Sequence, residues 1–317
     1  MEKPIILTGL DAWEVIASRD YNTFSMADVY RSLAGRTGID FSAAIDLMDR
    51  LPVFLSGDVH KATRRSMAQS YAATREKQQS NVEAAITKVI DDLAASSGTV
   101  DVLKRISDPI WIAIEEAVMS DFEVRCDPDL VNSIPDLFIP ELSIRRRKRI
   151  NDQISAFIDT MPPDEKENIL HALSFLVLGV RPLSYSIALS FSRLAKQNDG
   201  IKLSEIDYPS SFEDSALRFV DRIATKDVMV GGCPHAAGTR LRNISFDDSY
   251  TREDNEKYLF GAGAHLCLGR PISLYIWGRL SSGLKAIPKR IRPGTVKLSA
   301  REPFLMVSAC NVILADD

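Results

Sequence analysis

The stretch Phe260-Gly261-Ala262-Gly263-Ala264-His265-Leu266-Cys267-Leu268-Gly269 decides the fold. Its closely spaced glycines describe a tightly folded loop whose backbone comes close to something flat or bulky. Directly after it, the apolar positions from Ile272 to Leu284 recur at helical spacing. Cys267 therefore falls just ahead of a helix, where first-turn amides point at its sulfur. Free amides and the positive end of the helix dipole favour thiolate over thiol, and thiolate is the form that ligates metal. A lone cysteine before a helix is usually structural. Here the whole pattern FGxGxHxCxG is present, which marks Cys267 as the candidate metal ligand.

Outward from this loop the chain is mostly helical. Pro162-Pro163-Asp164 is a start signal, and residues 164–197 form the longest apolar helix candidate, closed by Asn198-Asp199-Gly200. It is apolar nearly all round, so it is expected to cross the middle of the fold. Pro182 inside it removes a backbone donor, so a local kink is expected. Residues 58–95 have the composition of a long surface helix, and 98–102 that of a short strand or turn. The stretch from Ile106 to Val118 is apolar-periodic, with Pro109 in its first turn. Residues 141–160 predict another helix. Its basic run, Arg145 to Arg149, is either a solvated face or a docking patch for an acidic partner or anionic ligand. Residues 226–242 alternate as strands, with turns at Gly231-Gly232 and Gly238-Thr239. There is no internal repeat and no low-complexity linker, so 1–317 is expected to be a single domain.

The bulk properties exclude several classes. Of 317 residues 45% are hydrophobic and 26% charged, and the net charge is −4. That balance gives no basis for nucleic-acid binding, which leaves a strongly basic domain. No uncharged apolar run reaches the length of a membrane span. The N-terminal apolar patch before Asp11 is too short for a signal peptide. Cys126, Cys233, Cys267 and Cys310 show no CxxC spacing, so reduced thiols in a cytoplasmic protein are expected.

The cysteine loop resembles the haem-binding signature of the cytochrome P450 family, and two further places match. Gly57-Asp58-Val59-His60-Lys61-Ala62-Thr63-Arg64 is similar to the start of the family's C helix. Positions i and i+4 share a helix face, so His60 and Arg64 can clamp one carboxylate. Arg222-Ile223-Ala224-Thr225-Lys226-Asp227-Val228 looks like the strand after the family's K helix. The resemblance, which spans roughly 55–285, implies a shortened P450-like fold, mainly α with small β-sheets. It implies haem b (iron protoporphyrin IX) as cofactor, with Cys267 as axial ligand. It also implies propionate contacts from His60, Arg64, Arg222 and His265, and a loop shaped by Phe260, Gly261 and Gly269.

Three departures shape the functional expectation. Where oxygen-activating members carry an acid–alcohol pair, this chain reads Leu178-Gly179-Val180-Arg181-Pro182-Leu183. The Arg-Pro dipeptide resembles the peroxide-using fatty-acid peroxygenase branch, in which the arginine holds a substrate carboxylate. The ExxR motif is broken: its best match, Ser215-Ala216-Leu217-Arg218, has serine for glutamate. The stretch between Gly238-Thr239 and the cysteine loop is short, so much of the face used by electron donors is missing. The expectation is a peroxide-driven haem-thiolate oxidoreductase, with Arg181 and Pro182 catalytic. Its substrate would be a small or medium apolar carboxylic acid, and it would need no redox partner and no membrane. The alternatives are a non-oxidative haem-thiolate enzyme (hydroperoxide rearrangement, dehydration or isomerisation) and a non-catalytic haem- or partner-binding protein. An arginine in an apolar helix needs a partner, and an internal carboxylate would serve as well as a ligand.

Overall fold

A computed structural model describes residues 3–244, 259–301 and 304–316. The fold is mainly α-helical with small β-sheets, as expected. Nine α-helices lie among the described residues: α1 Gly9–Ala17, α2 Met26–Thr37, α3 Ser42–Met48, α4 Gly57–Ala95, α5 Asp108–Val118, α6 Pro128–Ser133, α7 Ile144–Asp159, α8 Lys166–Gln197 and α9 Arg270–Lys285. The strands are β1 Ile5–Leu7, β2 Tyr21–Thr23, β3 Gly98–Asp101, β4 Phe219–Ala224, β5 Val228–Val230, β6 Cys233–His235, β7 Arg240–Ile244, β8 Arg290–Arg301 and β9 Phe304–Ala315.

The helix α8 is the core element. Its apolar composition would suit a membrane span, but Leu173, Leu176, Val177, Ile187, Phe191 and Leu194 are buried against the other helices. Burial is less complete along His171, Phe175, Leu178, Pro182 and Tyr185. Those positions recur at i, i+4, i+7, i+11 and i+14, so they form one half-buried stripe along the helix. The helix continues through Pro182 without interruption. Packing on both sides holds the turn that the ring would otherwise open.

Among the described residues three sheets complete the fold, in the orders β1-β7-β4-β2, β3-β9-β8 and β5-β6. In the first, β1 runs parallel to β7, and β2 runs antiparallel to β4 with Thr23 opposite Arg222. Leu7, Ala12, Val15, Val230 and Leu241 bring α1, this sheet and strand β5 together in a hydrophobic cluster of their own, separate from the large core around α8. The β5-β6 hairpin turns on Gly231-Gly232, both with positive φ, a conformation in which glycine costs nothing.

No α-helix forms between Gln197 and Phe219, where the resemblance implies a K helix carrying ExxR. The stretch from Ser211 to Ala216 is irregular yet mostly buried, so its backbone groups need partners from elsewhere. On α8, Ser190 Oγ accepts from the Glu213 amide (3.0 Å) and Ser186 Oγ from the Ala216 amide (3.2 Å). Ala216 O accepts from the Leu305 amide at 2.8 Å. Asp214 pairs with Arg218 and with Arg193 of α8. Side chains of the central helix thus satisfy a segment that has no ladder of its own.

The basic run on α7 does not form one solvated face. Arg147 is buried, donating to the carbonyls of Ile139, Pro140 and Leu142 and to Tyr30 Oη. Arg146 pairs with Asp136 and Lys148 with Asp152. The shortened stretch between Gly238-Thr239 and the cysteine loop falls largely outside the described residues.

Candidate haem site

The cysteine loop folds back on itself before α9 begins. The Cys267 amide donates to Phe260 O at 2.8 Å, which closes the loop. Gly261 and Gly263 both have positive φ. A Cβ on Gly263 would stand 2.7 Å from the Ala17 carbonyl oxygen, so α1 presses directly on the loop. At Gly269 a Cβ would stand 3.7 Å from Cys267 Sγ.

Cys267 is exposed, although protein surrounds its thiol closely. Those two properties together describe a side chain lining a concave interior surface. On balance its pKa is raised, against the sequence expectation of a favoured thiolate: burial pushes it up, and hydrogen bonds from the Gly269 and Arg270 amides and the Arg64 charge pull it only partly back. Amides of the first turn of α9 are therefore aimed at the sulfur, the arrangement that stabilises a thiolate ligand.

Four cationic or imidazole side chains meet beside it. On α4, Arg64 donates to Leu266 O at 2.7 Å, which ties the helix to the loop. The His60 and His265 rings stack, with centroids 4.1 Å apart. His265 is held down to about 3, by burial first and then by the charges of Arg222, His60 and Arg64. His60 is lowered by burial, Arg64 and Arg222. Both imidazoles are neutral at pH 7, and each keeps one N–H to donate.

The chemistry of this set is one-sided. Arg222 is 4% exposed, and its pKa is pulled down to about 10 by burial, with Asp221 opposing. Among the described residues it donates only to its neighbour's carbonyl, Asp221 O, at 3.1 Å. The Asp221 carboxylate is taken by Arg240 and Arg242. Among the described residues, His60 Nε2 is buried without a hydrogen-bond partner. A buried cation and an orphaned buried nitrogen in one place are costly unless an anion joins them. The donor set fits a group bearing two carboxylates, as haem does, so His60, Arg64, Arg222 and His265 are the residues that would hold its propionates.

Arg181 stands elsewhere. It is buried on α8 and donates to Asp136 Oδ1 at 2.9 Å and to the Asn132 carbonyl. The sequence leaves room for a ligand carboxylate as its partner; the structure supplies the partner from within the chain. Asp136 lies 45 residues away, and no local pattern points to it. Pro182 does lie on the half-buried stripe, beside Leu178 and Phe175. The sequence expectation also passes over Tyr71 of α4. Its ring lies 5.8 Å from that of Phe175, and its hydroxyl accepts from the Ile272 amide at the start of α9.

No family model matches the sequence, and no curated protein matches it. Solved structures do. P450 RauA, complexed with a biosynthetic intermediate of aurachin RE, matches with a TM-score of 0.71 at 14% identity, over 98% of this chain and 90% of that one. P450BioI, in complex with an acyl carrier protein ligated to hexadec-9Z-enoic acid, matches at 0.70 and 12% identity, over 98% and 91%. The cytochrome P450 enzyme CYP109B1 from Bacillus subtilis matches at 0.64 and 13%, over 96% and 91%. This chain has the cytochrome P450 fold.

Proposed function

We propose that this chain is a haem-thiolate oxidoreductase, a single domain that binds haem b through Cys267 and oxidises a small or medium apolar molecule. The observation that carries the proposal is the meeting of His60, Arg64, Arg222 and His265 beside Cys267, with no carboxylate among them. When bound, haem supplies an iron centre at which thiolate donation favours O–O cleavage.

The chain's own residues do the rest. The Gly269 and Arg270 amides hold the sulfur. Neutral His60 and His265 and charged Arg64 and Arg222 orient the propionates. Phe175, Leu178 and Pro182 supply an apolar wall on α8 that excludes water. Leu178–Leu183 offers neither acid nor alcohol for moving protons onto dioxygen. Hydrogen peroxide, which arrives already reduced and protonated, is therefore the oxidant we favour, and no redox partner is required. Arg181 lies to one side of the apolar stripe and is paired with Asp136. Recognition of a substrate carboxylate accordingly drops out of the reading.

The test is the absorption spectrum of the purified chain, reduced and bound to carbon monoxide. A thiolate-ligated spectrum is expected, lost in Cys267→Ala, together with turnover driven by peroxide alone. A colourless chain that takes up no added hemin sinks the proposal. The absence of an acid–base group between Leu178 and Leu183 also favours a second reading, a haem-thiolate isomerase or dehydratase. Turnover with no added oxidant selects it.

A further inference from the structure

We infer that Ser56 and Thr23 are positioning residues that set Arg222 against His60, an inference that rests on the haem reading above. His60 and Arg222 belong to different parts of the fold. His60 is in the first turn of α4, beside the large core. Arg222 is in the middle of β4, in the sheet that shares its own small cluster with α1. The spacing of the two donors is therefore fixed by whatever joins helix to sheet.

Two hydrogen bonds make that joint. The Thr23 amide donates to Ser56 Oγ at 2.8 Å, and Thr23 Oγ1 lies 3.1 Å from the same atom. Ser56 caps α4 by position, but its hydroxyl does not cap the helix amides. It is spent on the sheet instead. Ser56 also precedes His60 by one helical turn, the His60 amide donating to Ser56 O at 3.4 Å. At the other end, Thr23 stands directly opposite Arg222 in the β2–β4 ladder. Because its amide points to Ser56, the Thr23–Arg222 pair is the non-hydrogen-bonded kind, whose side chains share a face and approach most closely. One hydroxyl thus links the residue a turn before His60 to the residue facing Arg222. Thr23 is 7% exposed, so losing the link leaves a buried amide without an acceptor.

The test has two arms. In the hemin arm, Ser56→Ala is expected to speed hemin loss about tenfold, the size of one lost buried hydrogen bond. Ser56→Thr, which keeps the hydroxyl, restores retention. In an Arg222→Ala background, Ser56→Ala adds little, because the group it positions is gone. Additive effects, or unchanged retention in Ser56→Ala, overturn the assignment. In the hemin-free arm, Ser56→Ala is expected to speed exchange of the Thr23 amide relative to Ile223 and to shift the ring resonances of His60 and His265 together. Unchanged exchange and unchanged rings also overturn it. A wild-type chain that takes no hemin refutes the haem reading, and the tether is then decided by the second arm alone.

Discussion

Among the described residues no carboxylate forms an ion pair with the buried Arg222, and that sets two opposite expectations for one substitution. Arg222→Met removes an unpaired cation from a dry place, so the hemin-free chain should gain about 1–2 kcal/mol of stability in urea unfolding. The same variant should release hemin at least tenfold faster, measured by transfer to a scavenging globin. Arg181 behaves the other way. Among the described residues, Arg181→Ala leaves Asp136 with only Arg146 as an ion-pair partner, and it should cost about 2–4 kcal/mol while hemin content per folded molecule stays unchanged. The difference between the two arginines was only half legible. The place of Cys267 before a helix and the i,i+4 spacing of His60 and Arg64 are local patterns in the chain, whereas Arg222 and His265 were reached through the family resemblance. The acid that pairs with Arg181 comes from another segment, and only the folded chain shows it.

Elements were legible where periodicity runs long. The helices α4, α5, α7, α8 and α9 form over nearly the residues their apolar spacing predicts. The three-residue strands β1 and β2 carry no such pattern, because their pairing with β7 and β4 is what makes them strands. The helix implied between α8 and β4 is missing for a reason that sequence pattern could not supply: Ser186 and Ser190 of α8 satisfy the buried backbone in its place. Replacing both serines by alanine should cost about 1–3 kcal/mol per amide left unsatisfied. Hydrogen exchange along residues 213–216 should rise before that of the α8 core. On the loop itself, Gly263→Ala meets the Ala17 carbonyl oxygen and an unfavourable positive φ. A loss of about 1–2 kcal/mol from the backbone alone is expected, more once the clash is added, read as a lower thermal midpoint.

Across the whole molecule, burial lowers the pKa of His60, His171 and His265. Each binds a proton more readily unfolded than folded, so stability of the hemin-free chain rises with pH across that interval. It is fully present above the ordinary histidine range and is lost as pH falls below about 6.5, the His265 contribution continuing down to about 3, by up to about 1.4 kcal/mol per pH unit for that group. Urea midpoints taken at pH 7, 6 and 5 should fall in that order. The chain's shape was legible from one loop and one long helix, yet the division between the large core and the small cluster around α1 was not, since it depends on which strands meet. The pairing of Ile5 with Leu241 in parallel has a consequence for synthesis. A ribosome delivers the first strand long before its neighbour, so β1 waits unpartnered while most of the polypeptide is still being made. Closing that ladder is a late event with a large loop entropy to overcome. Chaperone demand and aggregation during expression should concentrate in that interval.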